Sequence, residues 1–363
     1  MTSIRITVPA AADWPVVQRI DELAFGYSWA PDMEPALELP RALVAHVDDE
    51  AAGLAAALTF DLAVPGGRLP AAGVTWVGVI PTHRRRGVLT ALMRRQLDDV
   101  RAAGEPVAVL WASEPVIYGR YGYGLASRRL SVTVPRAGTV VDGPVDDGLR
   151  LRLVPPADGL AAVEDVYAAV RAARPGMPLR VGEGRARALH DPPSQREGAS
   201  ELRCALAEDA EGVRGYTLFA TRPSWHDGSA SGTVRVRELL AVDPAAHAAC
   251  WRFLLGIDLM DRVVHINLAE DDPVLHLLAD PRRAQPVLQD ALFVRLVDLP
   301  AALTGRRYAV HVDVVLEVSD AFAPWNAGRW RLRADAAGGA TCVRTDDPAD
   351  LVLDVRELGA AFL

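Results

Sequence analysis

The clearest chemistry in the sequence lies in Val77-Gly78-Val79-Ile80-Pro81-Thr82-His83-Arg84-Arg85-Arg86-Gly87-Val88-Leu89-Thr90. An apolar run meets a proline turn, three consecutive arginines and a glycine. Directly after it, the spacing of Val88, Leu89, Leu92, Met93, Leu97 and Val100 predicts a helix over 88–103. A strand-turn-helix junction leaves the first backbone N–H groups of the helix unpaired and puts the positive end of its dipole at the same point. Such a point holds an anion, and neighbouring guanidinium groups add charge-assisted donors suited to a pyrophosphate. The expected ligand is therefore a phosphate-bearing cofactor. A Walker A loop is excluded, because Gly-x-x-x-x-Gly-Lys is absent, and so is the dinucleotide fingerprint Gly-x-Gly-x-x-Gly. An arginine run alone more often marks a solvated face. Here the glycine turn and the helix start set it apart.

Other side chains exclude more than they suggest. The sequence contains no lysine, so all 39 positions counted as Lys or Arg are arginine and Schiff-base chemistry by a lysine is ruled out. A net charge of −8 argues against a nucleic-acid partner and leaves room for a cationic small molecule. Cys204, Cys250 and Cys342 are far apart and lie in no metal-ligand spacing, so neither a metal site nor a disulfide framework is expected. Histidine as a residue type can serve as a base near neutral pH, but His83 sits inside the cofactor loop, where packing is the simpler role. Asp48-Asp49, Asp271-Asp272 and Asp346-Asp347 fall in turn-like sequence, which explains them without a ligand. The start lacks the apolar core of a signal peptide and no apolar run has membrane-spanning length, so a cytoplasmic protein with no membrane partner is expected.

The elements that must position the loop read as α+β. A strand at 4–8 precedes a helix to about Phe25, with Asp13 expected as its N-cap and Pro15 in its first turn. Strands at 42–47 and 54–62 form a hairpin around Asp48-Asp49-Glu50, and the turn Pro65-Gly66-Gly67 leads into a strand at 73–80. After the helix at 88–103 comes a short apolar strand at 107–112, as a buried parallel position requires. The acidic, turn-rich stretch 136–148 reads as a boundary. Beyond it, strands at 149–154, 204–207, 216–221, 234–242 and 263–268 and helices at 161–173 and 245–260 echo the first unit without its arginine-glycine loop. From about Ala291 the pattern changes to strands at 293–297, 312–318, 330–333, 340–344 and 351–355, with a helical stretch at 299–303. The expected domains are 1–143, 149–290 and 291–363.

Arg84-Arg85-Arg86-Gly87-Val88-Leu89 resembles the Q/R-x-x-G-x-G/A coenzyme A loop of the GNAT superfamily, and the fuller string Pro-Thr-His-Arg-Arg-Arg-Gly-Val-Leu is similar to that of the Eis (enhanced intracellular survival) subgroup. A second block, Ala112-Ser113-Glu114 with Ile117-Tyr118-Gly119-Arg120-Tyr121-Gly122-Tyr123-Gly124, resembles the same subgroup. So do Arg174-Pro175-Gly176, Arg237-Glu238-Leu239 and Leu316-Glu317-Val318-Ser319-Asp320. The resemblance implies a GNAT domain, a second degenerate GNAT-like domain, a sterol-carrier-like third domain short of its family length, and a homohexamer. It implies N-acetyltransferase activity, with acetyl-CoA as co-substrate and an amine of a small molecule or peptide as acceptor. Cofactor contacts carry over to Val77, Val79, Arg84, Arg85, Gly87, Val88 and Ser113, and the general acid that protonates the departing thiolate to Tyr118. Tyr121 and Tyr123 are expected to be packing residues.

The family pattern is departed from in two places. Aminoglycoside-acetylating members carry an acid in the loop after the first helix, where this chain has Phe25-Gly26-Tyr27-Ser28-Trp29, so polyamine recognition is not carried over. Members also continue past Ala360-Ala361-Phe362-Leu363 to a terminal carboxylate that acts as base. Leu363 is not assigned that role by position, and Asp21 and Glu114 are the other candidates. The competing readings are a non-catalytic protein that binds CoA or a lipid, and a transferase using a longer acyl-CoA.

Overall fold

A computed structural model describes residues 3–180, 183–336 and 338–363. The chain forms two compact units. The first comprises 1–127, 175–178 and 291–363, and the second comprises 128–174 and 179–290.

In the first unit, β1 (Ile4–Thr7), α1 (Trp14–Phe25), β2 (Ala42–Val47), β3 (Glu50–Val64), β4 (Gly67–Val79), α2 (Val88–Ala102), β5 (Val107–Trp111) and β6 (Gly124–Leu125) follow in chain order. The sheet runs β1-β2-β3-β4-β5, then the strand Leu292–Leu296, then β6. Every pairing is antiparallel except β4 with β5, the pair that α2 connects. Helix α2 approaches one face of the sheet at Gly53, where a Cβ would meet Val88 and Leu92. Helix α1 approaches at Gly78, where a Cβ would meet Ala24. Gly78 lies opposite Leu54, the next residue after Gly53, so the two helices cover opposite faces. Asp13 does not cap α1. Its carboxylate accepts from the Ala10 N–H at 2.8 Å and closes the short 3-10 turn Ala11–Asp13 that precedes the helix.

The strand expected at 293–297 as the first of a third domain instead inserts between β5 and β6. Its residues Phe293, Val294, Arg295 and Leu296 are all buried, which suits an interior position in a sheet and not an exposed small one. The rest of this region forms a four-stranded sheet in the order Ala340–Arg344, Gly328–Ala334, Val312–Ser319, Leu351–Asp354, with helices Leu299–Thr304 and Val355–Ala360. Its inner face shares one core with the first sheet: Leu316, Val318, Trp330 and Leu332 pack with Leu62, Leu69, Val107 and Leu296.

The second unit is a seven-stranded sheet ordered Val287–Asp290, Arg128–Pro135, Met260–Ala269, Gly232–Ala241, Val213–Arg222, Arg203–Glu208, Arg150–Val154. Its one parallel pair, Gly232–Ala241 with Met260–Ala269, is joined by the helix Pro244–Leu255, repeating the strand-helix-strand unit of β4-α2-β5. That helix ends at Gly256, earlier than the expected 260, and Met260 already belongs to the following strand. The chain enters this unit at Arg128, upstream of the turn-rich 136–148, because Leu130, Val132 and Val134 alternate into its core.

Candidate active site

Strand β4 pairs with β5 only through Ala71–Gly73, opposite Val107–Val109. Beyond that the two strands part, and the remainder of β4 up to Val79 has β3 on one side and, among the described residues, no strand on the other. The Ile80 N–H bonds to the Ala52 carbonyl at 2.9 Å, so, by antiparallel alternation, Gly78 faces β3 while the N–H and C=O of Val79 face the parting. Val77 has the same parity. The register slips between Leu54 and Ala56, where Trp76 takes a left-handed conformation (φ 56°), and this bulge re-aims the end of β4. A bulky residue there is a rare outlier of the kind that clusters at functional sites.

After β4, a 3-10 turn at Pro81–His83 leads to Arg84, left-handed Arg85 (φ 64°), Arg86 and Gly87. Gly87 (φ 84°) precedes α2, and no side chain caps the helix among the described residues. The first helical bond is Ala91 N–H to Gly87 C=O, which leaves the N–H groups of Val88, Leu89 and Thr90 open. Arg84, Arg85 and Arg86 are exposed. None forms an ion pair among the described residues, and Arg84 Nε lies 3.5 Å from the Val79 carbonyl. His83 is buried beneath the loop, with Nδ1 3.0 Å from Thr82 Oγ1 and Nε2 3.8 Å from Glu50. It packs the loop and does not face outward.

The equivalent helix of the second unit gives a contrast. Asp243 caps Pro244–Leu255 by accepting from Ala245 and Ala246 N–H at 2.9 and 3.0 Å, and it pairs with Arg214 Nε at 2.8 Å. A carboxylate of the chain itself thus occupies the place an external anion would take. Of these two equivalent helices, the one after Gly87 has no side-chain cap among the described residues.

Past β5, Ser113 and Glu114 are exposed and the segment Pro115–Tyr121 forms a 3-10 turn. Tyr118 is 8% exposed and lies in the apolar cluster that includes Val74 and Val77 of β4, Leu89 of α2 and Ala112. Its hydroxyl has no partner among the described residues. Burial, reinforced by the negative charge of Glu114, pushes its pKa up to about 12, so the phenol keeps its proton at neutral pH. Tyr123 packs edge-on against Tyr118 at 5.8 Å, and Tyr121 packs on Phe322 at 4.9 Å with its hydroxyl 3.5 Å from Thr90 Oγ1.

On the α1 side, four aromatic rings cluster, two of which, Tyr27 and Trp29, reach a buried acid. Trp29 lies 5.4 Å from Trp14, 5.5 Å from Trp76 and 6.3 Å from Tyr27. Asp21, buried on α1, accepts from Trp29 Nε1 at 3.0 Å and from the Tyr27 hydroxyl. Burial raises its pKa against the effect of those two bonds. The loop that lacks an acid in sequence therefore presents Tyr27 hydrogen-bonded to one supplied from the helix.

Models described as acetyltransferase (GNAT) domains match residues 5–126 and 183–296, and a sterol carrier protein domain matches 299–363. An uncharacterized N-acetyltransferase of Streptomyces avermitilis is 52% identical over 330 residues, which is 90% of this chain and 80% of that protein. N-acetyltransferase Eis of Mycobacterium bovis is 38% identical over 328 residues, 86% of this chain and 76% of that protein. The chain belongs to the Eis-like N-acetyltransferases of the GNAT superfamily. The crystal structure of Eis1 from Mycobacterium abscessus matches with a TM-score of 0.80 at 33% identity, over 100% of this chain and 89% of that one. A GCN5-related N-acetyltransferase from Anabaena variabilis matches with a TM-score of 0.84 at 21% identity, over 99% and 89% of the two chains, a likeness of fold.

Within this Eis-like chain, Val77, Val79, Arg84, Arg85, Gly87 and Val88 lie on one continuous stretch from the bulge to the helix start. Ser113 and Tyr118 follow the end of β5, the other arm of the parting. Trp14 carries no motif, and the bulge at Trp76 has no residue-type signature in the sequence. The only available signal was the unusual density of tryptophan at positions 14, 29 and 76.

Proposed function

We propose that this enzyme moves the acetyl group of acetyl-CoA to the amine of a small molecule or peptide by direct attack. The observation that carries the reading is the parting of β4 from β5 beside a helix start with no side-chain cap, flanked by exposed arginines that form no ion pair among the described residues. These residues fit the cofactor. The open N–H groups of Val88 and its neighbours, with Arg84 and Arg85, would hold the pyrophosphate, and Gly87 lets the backbone approach it. Val77 and Val79 would pair through their main chain with the pantetheine amides, as in strand addition, and Ser113 offers a further hydroxyl. Bound acetyl-CoA supplies a thioester carbonyl open to attack and a thiolate leaving group.

The Val79 N–H is aimed to donate to an oxygen that gains charge as the new C–N bond forms and the C–S bond breaks. Tyr118 donates its proton to the departing sulfur and is reprotonated from solvent. Trp14, Tyr27, Trp29 and Trp76 offer π faces to a cationic or aromatic amine, and Asp21 or Glu114 accepts the proton the amine loses. The resemblance to Eis proteins also supports a homohexamer, and the free cysteines Cys204, Cys250 and Cys342 fit a reducing, cytoplasmic location; sedimentation and fractionation would test the two. The chemistry is tested by mass spectrometry of primary amines incubated with acetyl-CoA and enzyme. Acetylated amine is expected. CoA binding with no acetylated product from any amine would favour a binding protein, and product only from longer acyl-CoA would replace the donor.

A further inference from the structure

Arg295 is fully buried, on the strand that separates β5 from β6. Its Nη2 donates to Asp320 Oδ2 at 2.6 Å, and Asp320 is itself buried. Asp320 Oδ1 accepts from the Ala323 N–H at 2.8 Å, and Asp320 Oδ2 also accepts from Asn326 Nδ2 at 3.1 Å. Asn326 in turn donates to the Leu296 carbonyl at 3.0 Å and accepts from the Leu299 N–H at 3.1 Å. Segment 320–326 is thereby fixed to the strand that carries Arg295.

On its other side, the guanidinium touches the turn that bears Tyr118. A Cβ on Gly122 would clash with Arg295 Nη1, so it would displace the guanidinium, and Gly122 is left-handed (φ 83°), which itself favours glycine. The Gly122 N–H closes back on Gly119 at 3.1 Å and the Tyr123 N–H on Tyr118 at 3.3 Å. Tyr123 then sets its ring against Tyr118. A second contact comes from the same segment, since Phe322 packs on Tyr121 and its carbonyl accepts from Arg94. A 3-10 turn of seven residues has weak hydrogen bonds of its own and takes its position from what it packs against. A buried ion pair is a poor device for stability, because desolvation offsets the attraction. A role in holding one arrangement is its better-supported use.

We propose that Arg295 and Asp320 are positioning residues for Tyr118. The sterol-carrier-like region contributes to catalysis through Asp320, which holds Arg295 and, through Arg295 and Gly122, fixes the turn that aims the phenol at the parting of β4 and β5. The proposal rests on Tyr118 as the general acid, and its test separates the two ideas.

The paired replacement Arg295→Met with Asp320→Asn removes both charges in the full-length enzyme and leaves neither uncompensated. Asp320→Asn alone is the milder variant should the pair lower Tm. The expected result is a fall in kcat of at least about tenfold with KM for acetyl-CoA within about twofold. In a Tyr118→Phe background the same replacement should cost less than about twofold, since residues that act as a unit are not additive. Equal losses in both backgrounds would overturn the proposal. A second arm needs no turnover: meta-fluorotyrosine at position 118 should give one fluorine resonance in the parent enzyme and several, or a broadened one, in the variant. An unchanged resonance would also overturn it. If Tyr118→Phe by itself leaves kcat intact, the general-acid reading fails, and the fluorine arm still decides whether Arg295 positions the ring.

Discussion

Gly87→Ala isolates the helix start from the rest of the site. Gly87 has φ 84°, and an added Cβ would meet only Ile4 Cδ1, at 3.8 Å, an ordinary contact. The cost is therefore conformational, about 1–2 kcal/mol for an L-residue in the left-handed region. A cost of that size lowers Tm by about 2–8 °C in a domain of ordinary size and leaves the protein folded. Gly104, just past the other end of α2, serves as the control. It has φ 74° with nothing within 4 Å of its Cβ position, so Gly104→Ala carries the same backbone cost far from the loop. If the open N–H groups of Val88, Leu89 and Thr90 hold a pyrophosphate that approaches over Gly87, a Cβ there displaces one charge-assisted contact, about 1.5–3 kcal/mol. Calorimetric Kd for CoA should then rise about tenfold to a hundredfold in Gly87→Ala and stay unchanged in Gly104→Ala. Equal CoA affinity in the two variants, at equal loss of Tm, would refute the placement of the phosphates.

Arg84→Ala and Arg85→Ala should each weaken CoA binding more than Arg86→Ala, as read by the same calorimetry, since three adjacent side chains cannot all face one pyrophosphate. Tyr118→Phe should lower kcat by about 10²–10⁴-fold with the acetyl-CoA Kd unchanged, and no alkaline limb from this group is expected in kcat below about pH 11. Asp21→Asn should raise KM for the amine and leave CoA affinity intact, because the change falls among Trp29 and Tyr27 and not in the arginine loop. Buried His265 has its pKa lowered to about 4 by desolvation, and its Nδ1 accepts from the Asn267 N–H, which fits a neutral ring. The unfolded state takes up that proton near pH 6.5 and the folded state only near 4. Stability is thus fully present above about pH 6.5 and falls by roughly 3 kcal/mol as pH drops to 4. Denaturant titrations in which His265→Phe does not flatten that slope would exclude His265 as its source.

The arginine-glycine loop and the helix behind it were legible because anion binding at a helix start depends on local sequence: a glycine at the turn, apolar spacing after it, basic residues beside it. The parting of β4 and β5 was not. It depends on where pairing stops, at Gly73, and on a bulge at Trp76 that no residue type announces. The strand at Leu292–Leu296 was found as a strand but not as part of the first sheet, since its partners lie more than 150 residues away and only its two buried faces hint at an interior position. Asp21 was named only as one of two possible bases. Its contact with Tyr27 and Trp29 needs the loop after α1 to fold back across the helix, which composition does not reveal. The second GNAT-like unit differs at the same point: where the first has Gly87 before the helix, it has Asp243, whose carboxylate caps the helix start.

The most direct measurement is the stoichiometry of CoA thiol release against acetylated amine, followed in one reaction with enzyme, acetyl-CoA and a panel of primary amines at several pH values. The account expects one thiol for each acetylamine formed, release that depends on the amine, and loss of both signals together in Tyr118→Phe. Thiol release at the same rate with and without every amine, or none at all while CoA still binds, would contradict acetyl transfer as the function of this site.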